Sequence, residues 1–282
     1  MKKEQGFISP LNDYVVKCIY GDQKNIANTE GFLKTVLDIP PEDYGRLRVI
    51  DPFLKRRWKK DKQGVVDIHL AMAGRRRVAI DVQVQRYSAM RSRIQYYNSK
   101  MVMDQMKSGF DYGAIGQTIS VVITDYTLLY DEDDYLNIYE PRNRKSGKLF
   151  SDLQQYVILE LPKLPDEDDG QPVWPFLKFF KCRKQEEFEM LRKRHPELEP
   201  QVEEYQRISW SQRRRLLADY WEKQRRDAAS AMNYAREEGR LESQQALAAK
   251  DRVITENRQK LDEKNRENEA LRRKLREAGI DD

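Results

Sequence analysis

Two aspartates, Asp67 and Asp81, carry the clearest chemical signal in the chain. They lie in the stretch VVDIHLAMAGRRRVAIDVQVQ (65–85), two apolar-alternating runs around a short Gly-containing turn. That pattern predicts a β-hairpin. In the first run Val66, Ile68, Leu70 and Met72 share one face, and Val65, Asp67, His69 and Ala71 share the other. In the second, Val78, Ile80, Val82 and Val84 alternate with Arg77, Ala79, Asp81, Gln83 and Gln85. A turn centred on Gly74 sets Asp67 opposite Asp81 and Val66 opposite Val82, with the apolar faces on one side. Opposed residues have Cβ atoms roughly 4.5–5.5 Å apart. Two carboxylates that close repel unless one takes a proton or a cation sits between them. A shared divalent ion would make this a hydrolytic centre. The same pattern also reads as two ordinary aspartates on a solvated hairpin face.

The elements around the hairpin follow from periodicity. SPLNDYVVKCIY (9–20) predicts a helix opening after Ser9 and Pro10 and ended by Gly21. A second helix spans about 26–37 and stops before Pro40-Pro41; Glu30 lies within it, first of all an exposed helix residue and only secondarily a further candidate metal carboxylate. LRVIDPFL (47–54) predicts a strand, with Pro52 marking an edge or an end. KRRWKKDKQG (55–64) is a basic run around Trp58, suited to holding phosphate and stacking a base, or simply solvated. After the hairpin, residues 88–108 take a helical period, QTISVVITDYTLL (117–129) reads as a buried strand, and YLNIYEP and YVILELPKL add two more. The order helix, three strands, helix, strand is complete by residue 125.

PDEDDGQP (165–172) is an acidic linker, and the chain beyond it is helical in pattern. Residues 173–182, 184–194 and 209–239 predict helices, with Pro196 and Pro200 breaking the pattern between the last two; Trp210 and Trp221 read as packing residues. From about 241 a seven-residue series runs Leu247, Ile254, Leu261, Asn268, Leu275, with Leu271 and Ala278 adding a second seam position only late. This describes either a narrow coiled-coil seam, with Asn268 fixing register, or a solvated single helix. The expected division is therefore a first domain over 1–164, a helical region over 173–239 and a charged helical tail over 240–282.

Composition narrows the class of partner. The chain of 282 residues is 35% charged and carries a net charge of +5, unevenly placed. Residues 1–110 hold 21 Lys+Arg against 12 Asp+Glu, a balance of +9 that leaves −4 for the rest. A basic first part suits a polyanion such as nucleic acid, or is merely a soluble surface. Cys18 and Cys182 alone make no disulfide framework, so a reducing cytosol is expected. The opening residues lack a signal-peptide h-region and no run is long enough to span a bilayer, so the expectation is a soluble, cytoplasmic protein with no membrane partner.

FISPLNDYVVKCIYG, the Asp67–Asp81–Gln83 hairpin, RIQYYNSKMVMDQMKSGFDYGAIGQTISVVITD and YVILELPKL together resemble the Rpn proteins, recombination-promoting nucleases also described as transposases of the PD-(D/E)XK nuclease superfamily. The likeness runs from about residue 6 to 240, including AREEGR (235–240). It implies an α/β (α+β) fold with the restriction-endonuclease-like αβββαβ core, followed by a helical C-terminal region and a long terminal helix. It implies Mg²⁺-dependent DNA endonuclease activity, or use of another divalent cation such as Mn²⁺ or Ca²⁺, that promotes recombination. Asp67 then matches the first metal-binding carboxylate and Asp81 the acidic residue of the (D/E)xK motif, where relatives commonly have Glu. Gln83 stands where the superfamily has Lys. The carbonyl of Val82 is a further candidate ligand. Arg75, Arg77 and Arg91, with Arg56, Arg57 and Lys59 of the basic run, are the candidate DNA-backbone contacts. DNA is the expected partner, with homo-oligomer formation through the terminal helix as a second interaction. A catalytically degenerate nuclease fold serving as a DNA-binding or assembly protein is the competing reading, because Gln83 cannot act as a cation or a base.

Overall fold

In the computed structural model, the described residues are 8–54, 64–106, 109, 111–208 and scattered helical positions between 240 and 272. The chain divides into two compact units, Met1–Glu222 and Lys223–Asp282. The first contains a six-stranded mixed sheet in the order β1-β4-β5-β6-β8-β7, built from Arg48–Ile50, Ile68–Ala71, Arg77–Gln83, Thr118–Thr124, Gln154–Glu160 and Leu136–Tyr139. The inner strand β5 pairs antiparallel with β4 and parallel with β6, which is itself parallel to β8. A separate pair joins β2 (Phe53–Leu54) to β3 (Gly64–Val65).

The helices cover both faces. Helix α1 (Asp13–Tyr20) is capped by the Asn12 side chain accepting from Tyr14 N–H at 3.0 Å. It therefore begins at Asp13, two residues later than an opening just after Pro10, because the Asn12 side chain supplies the cap there. With α2 (Ile26–Val36), the short α3 (Pro41–Tyr44) and α5 (Trp174–Lys181), α6 (Gln185–Arg194) and α7 (Glu199–Arg207), it contributes to one core against Ile68, Leu70, Val78, Ile80, Ile119, Val157 and Leu159. Tyr205 Oη donates to the Ile8 carbonyl at 2.6 Å, tying the last of these helices to the start of the described chain. Helix α4 (Met90–Gln105) lies on the other face, through Met90 and Ile94 against Val122 and Ile158, and through Tyr97 and Met101 against Ala79.

One strand and one proline reading need correction. The stretch 47–54 is two strands rather than one: β1, at the edge of the large sheet, ends at Ile50 just before Pro52, as a proline there predicts, and β2 belongs to the other sheet. Pro200 does not break a helix; it sits in the first turn of α7, where its missing N–H leaves no bond unmade. The predicted helix over 209–239, with Trp210 and Trp221, lies outside the described residues, as does the basic run over 55–63.

Three devices hold the hairpin and the elements around it in place. Buried Asn98 on α4 donates to Ser120 Oγ and to the Thr118 and Gln155 carbonyls, and accepts from Thr118 Oγ1 at 2.8 Å and Gln154 Nε2 at 3.0 Å. It fixes the helix over β6 and β8. The fully buried Glu160 accepts from Leu128 and Leu129 N–H at 2.6 and 3.0 Å and from Lys163 Nζ at 2.5 Å, while Lys163 also donates to the Leu129 and Glu132 carbonyls. That clamp holds the loop leaving β6. The hairpin tip takes positive φ at Gly74 (+61°) and Arg75 (+60°) and packs on Gly116, where a Cβ would lie 2.4 Å from the Arg75 carbonyl carbon.

Candidate active site

The hairpin has the register that a turn centred on Gly74 requires: Ile68 lies opposite Ile80, Leu70 opposite Val78 and Ala71 opposite Arg77. The regular ladder starts only at Ile68. Val66 N–H donates to the Pro52 carbonyl at 3.2 Å, and the chain bends at Asp67. Strict alternation is therefore lost one residue before the acid. Val66 packs with Leu54, Ala79, Tyr97 and Met101 beneath α4, not on the face of Ile68 and Leu70 where alternation puts it. The Asp67 side chain fills the gap in the ladder, with Oδ2 accepting from Val82 N–H at 2.8 Å.

Asp81 is buried on the α4 side of β5, two residues beyond Ala79. Burial, then the adjacent Asp67 carboxyl, to which it hydrogen-bonds, pushes Asp81 up to about 8, against the opposing pull of Arg93 and of the Gln83 amide. The close pair of acids therefore favours keeping one proton between them. Gln83 Nε2 donates to Asp81 Oδ2 at 2.7 Å and Gln83 Oε1 accepts from Arg93 Nη1 at 3.4 Å. Arg93 Nη2 stands 3.9 Å from Asp81 Oδ2, and the guanidinium lies over the Tyr97 ring at 5.1 Å. Burial lowers the Arg93 pKa, but Asp81 and Tyr97 beside it leave the balance raised.

Two members of this cluster are absent from the sequence reading as site residues: Arg93, read only as one basic residue of its helix, and Tyr126. The phenol of Tyr126, in the loop leaving β6, is pushed up to about 12 by burial, eased by Arg93 and reinforced by Asp81. Tyr126 Oη and Arg93 Nε are buried and have no hydrogen-bond partner among the described residues. The spacing of Arg93 and Tyr97, four apart on α4, is the only sequence signal that bears on either residue.

Other candidates lie elsewhere. Glu30 is on α2, across the sheet from Asp81, and pairs with Lys34 at 2.6 Å. Arg75 and Arg77 sit at the hairpin-tip end of β5; Arg77 is four residues, roughly 13 Å, from Asp81. Arg75 donates to the Ala114 carbonyl at 3.2 Å. Arg91 is exposed in the first turn of α4 and donates to the Leu128 carbonyl at 3.1 Å. Arg56, Arg57 and Lys59 lie outside the described residues. His69 shares the face but turns away: its Nδ1 is 2.9 Å from the Asp51 carbonyl, and burial lowers its pKa.

The donor set suits a hard cation. It offers two carboxylates whose mutual repulsion a cation relieves, and Mg²⁺ commonly uses one or two carboxylates plus waters. No group of three His, Cys, Asp or Glu side chains stands together among the described residues. A cavity of about 460 Å³ lies apart from this site, between α2, the 168–175 segment and the start of α7. No helix of the described residues is long and apolar enough to cross a membrane.

A family model described as PD-(D/E)XK nuclease family transposase matches residues 10–235. Comparison with curated proteins and with solved structures gives no match.

Proposed function

Because the chain belongs to the PD-(D/E)XK nuclease family transposases, we propose that it is a divalent-metal-dependent DNA endonuclease that hydrolyses phosphodiester bonds and promotes recombination, as in the Rpn proteins. The observation that carries this reading is the buried Asp81 carboxyl hydrogen-bonded to Asp67 at the end of an inner strand. Asp67 and Asp81, with the Val82 carbonyl between the motif residues, are the groups that would hold Mg²⁺, or Mn²⁺ or Ca²⁺ in its place. When bound, such an ion neutralises charge developing on the phosphate and makes water a stronger nucleophile. Gln83, held between Asp81 and Arg93, orients the attacking water through its amide. Arg93 supplies a fixed positive charge to a non-bridging phosphate oxygen, the part played by Lys in the superfamily pattern. Arg91 grips the DNA backbone close by; Arg75 and Arg77 extend that contact toward the hairpin tip, and Arg56, Arg57 and Lys59 add to it. Such contacts carry little sequence information. The protein acts in the cytoplasm, and its tail joins copies of the chain.

The test is plasmid nicking with Mg²⁺ or Mn²⁺. Wild type is expected to nick, and Asp67→Ala and Asp81→Ala to lose the activity; variants that cut as well as wild type would overturn the assignment.

A second reading is favoured by Arg93 standing 3.9 Å from Asp81, a fixed cation already beside the acid pair, and by Gln83 in place of Lys. On that reading the chain is a degenerate nuclease that binds DNA or builds an assembly. It predicts salt-sensitive DNA binding in EDTA with no cutting in any metal.

A further inference from the structure

We propose that a cavity beside the first turns of α4 receives a nucleobase unstacked from the strand at the Asp67–Asp81 site, so that the preferred substrate is DNA with unpaired nucleotides. This rests on the endonuclease reading above and specifies its substrate.

The cavity holds about 410 Å³ and is walled by Tyr139, Tyr156, Ile94 and Ile158, with Arg91 and Gln95 at its edge. That volume is in the range of small-molecule pockets, about 300–1,000 Å³. Tyr139 and Tyr156 are directly opposed on β7 and β8, so both side chains stand on the same face of the sheet, and both line the cavity. Aromatic and aliphatic walls accept the flat face of any base, while an amide and a guanidinium at the mouth meet its polar edge. Glu140 also lines the cavity and is held by Arg142 Nη2 at 2.6 Å and Gln155 Nε2 at 3.0 Å.

The position ties the cavity to the acids. Asp81 pairs with Val122, and Val122 with Ile158, so the cavity wall shares a cross-strand row with the acid pair. Ile158 is two strand spacings, roughly 10 Å, from Asp81, and Tyr156 stands two residues farther back along β8. Cavity and acids are both on the α4 face. Arg93 reaches the acids from one flank of that helix, and Arg91, two residues earlier and about 200° around it, borders the cavity on the other. A single strand crossing the first turns of α4 meets a guanidinium on each side. A stacked duplex cannot send a base down while its phosphate stays at Asp81, whereas an unpaired nucleotide can.

The test uses the full chain in EDTA, where no cutting intervenes. Binding is read by anisotropy on a labelled duplex, on the same duplex with a one-nucleotide bulge, and on a single strand. A 2-aminopurine at the bulge reports ring stacking by loss of emission. The expected result is at least tenfold tighter binding to bulged and single-stranded DNA, with 2-aminopurine quenched on binding. Tyr156→Ala and Tyr139→Ala should remove most of that preference and the quenching while leaving duplex affinity unchanged; Tyr156→Phe should keep both. Equal affinity for duplex and bulge, or quenching that survives both alanine variants, overturns the base pocket but leaves the endonuclease reading standing. No binding to any of the three DNAs overturns both.

Discussion

Asp81 is a carboxyl whose protonation costs nothing in the fold and whose ionisation does. Its folded pKa of about 8 lies above the ordinary 3.8. Between those values the folded chain holds a proton that the unfolded chain has lost, so stability falls as pH rises and the loss is complete only above pH 8. In EDTA, the melting temperature of the wild type should therefore drop between pH 5 and 8.5. Asp81→Asn removes the buried charge and should flatten that dependence. At pH 8.5 the variant should melt higher by about 3–6 °C, the equivalent of about 1–2 kcal/mol for a domain of this size. A scanning-fluorimetry series across pH checks it, and a variant as pH-sensitive as the wild type would refute it. Adding Mg²⁺ at pH 8.5 should raise the wild-type melting temperature and leave Asp81→Asn nearly unmoved, because only a ligand that binds the folded state stabilises it. The two acids were legible in the sequence because period-2 alternation and one turn residue fix who faces whom. Arg93 and Tyr126 were not, since each reaches the acids through the packing of another element, α4 or the loop leaving β6, against β5, which periodicity along one strand does not give. Val66 was misread because the bend at Asp67, which lets a side chain bond Val82 N–H, breaks the alternation just where the site begins.

Among the elements, α4 and the hairpin tip decide whether the site stays assembled. Asn98 bonds two strands at once from beneath α4. Asn98→Leu leaves the Thr118 hydroxyl and the Gln154 amide without that partner in a buried setting, and should cost about 2–4 kcal/mol. It should also weaken nicking beyond the stability loss, because Arg93 rides on the same helix. Chemical denaturation and nicking at a temperature where both proteins are folded separate the two effects. At the other end of β5, Gly116→Ala places a methyl 2.4 Å from the Arg75 carbonyl carbon, a contact with backbone that no rotamer relieves. About 1–3 kcal/mol of destabilisation is expected, read by the denaturation midpoint. The apolar runs of β5, β6 and β8 announced themselves, and α2 and α4 were placed within a few residues by period alone. Pro200 was harder, since a proline opens a helix as readily as it ends one, and only the neighbours' packing decides.

At the scale of the whole molecule, the terminal unit poses the remaining physical question. Its described residues are helical and exposed, and Leu247, Ile254 and Leu261 present 61, 56 and 59% of their surface to solvent at intervals of seven. A stripe with that period is what a second helix carrying the same repeat would pack on, and Lys250, Asn257 and Lys264 at the neighbouring seam position would weaken such a pair. A two-fold pair of chains would bring two acid sites to one duplex. Such a pair should cut both strands within one encounter, whereas a single copy nicks. Ile254→Glu with Leu261→Glu should therefore leave the melting temperature of the first unit unchanged and shift the sedimenting mass to that of one chain at micromolar concentration. On supercoiled plasmid the variant should still nick but yield several-fold less linear product per nick. An unchanged mass would remove the tail as an association seam, and an unchanged ratio of linear to nicked product would separate association from double-strand cutting.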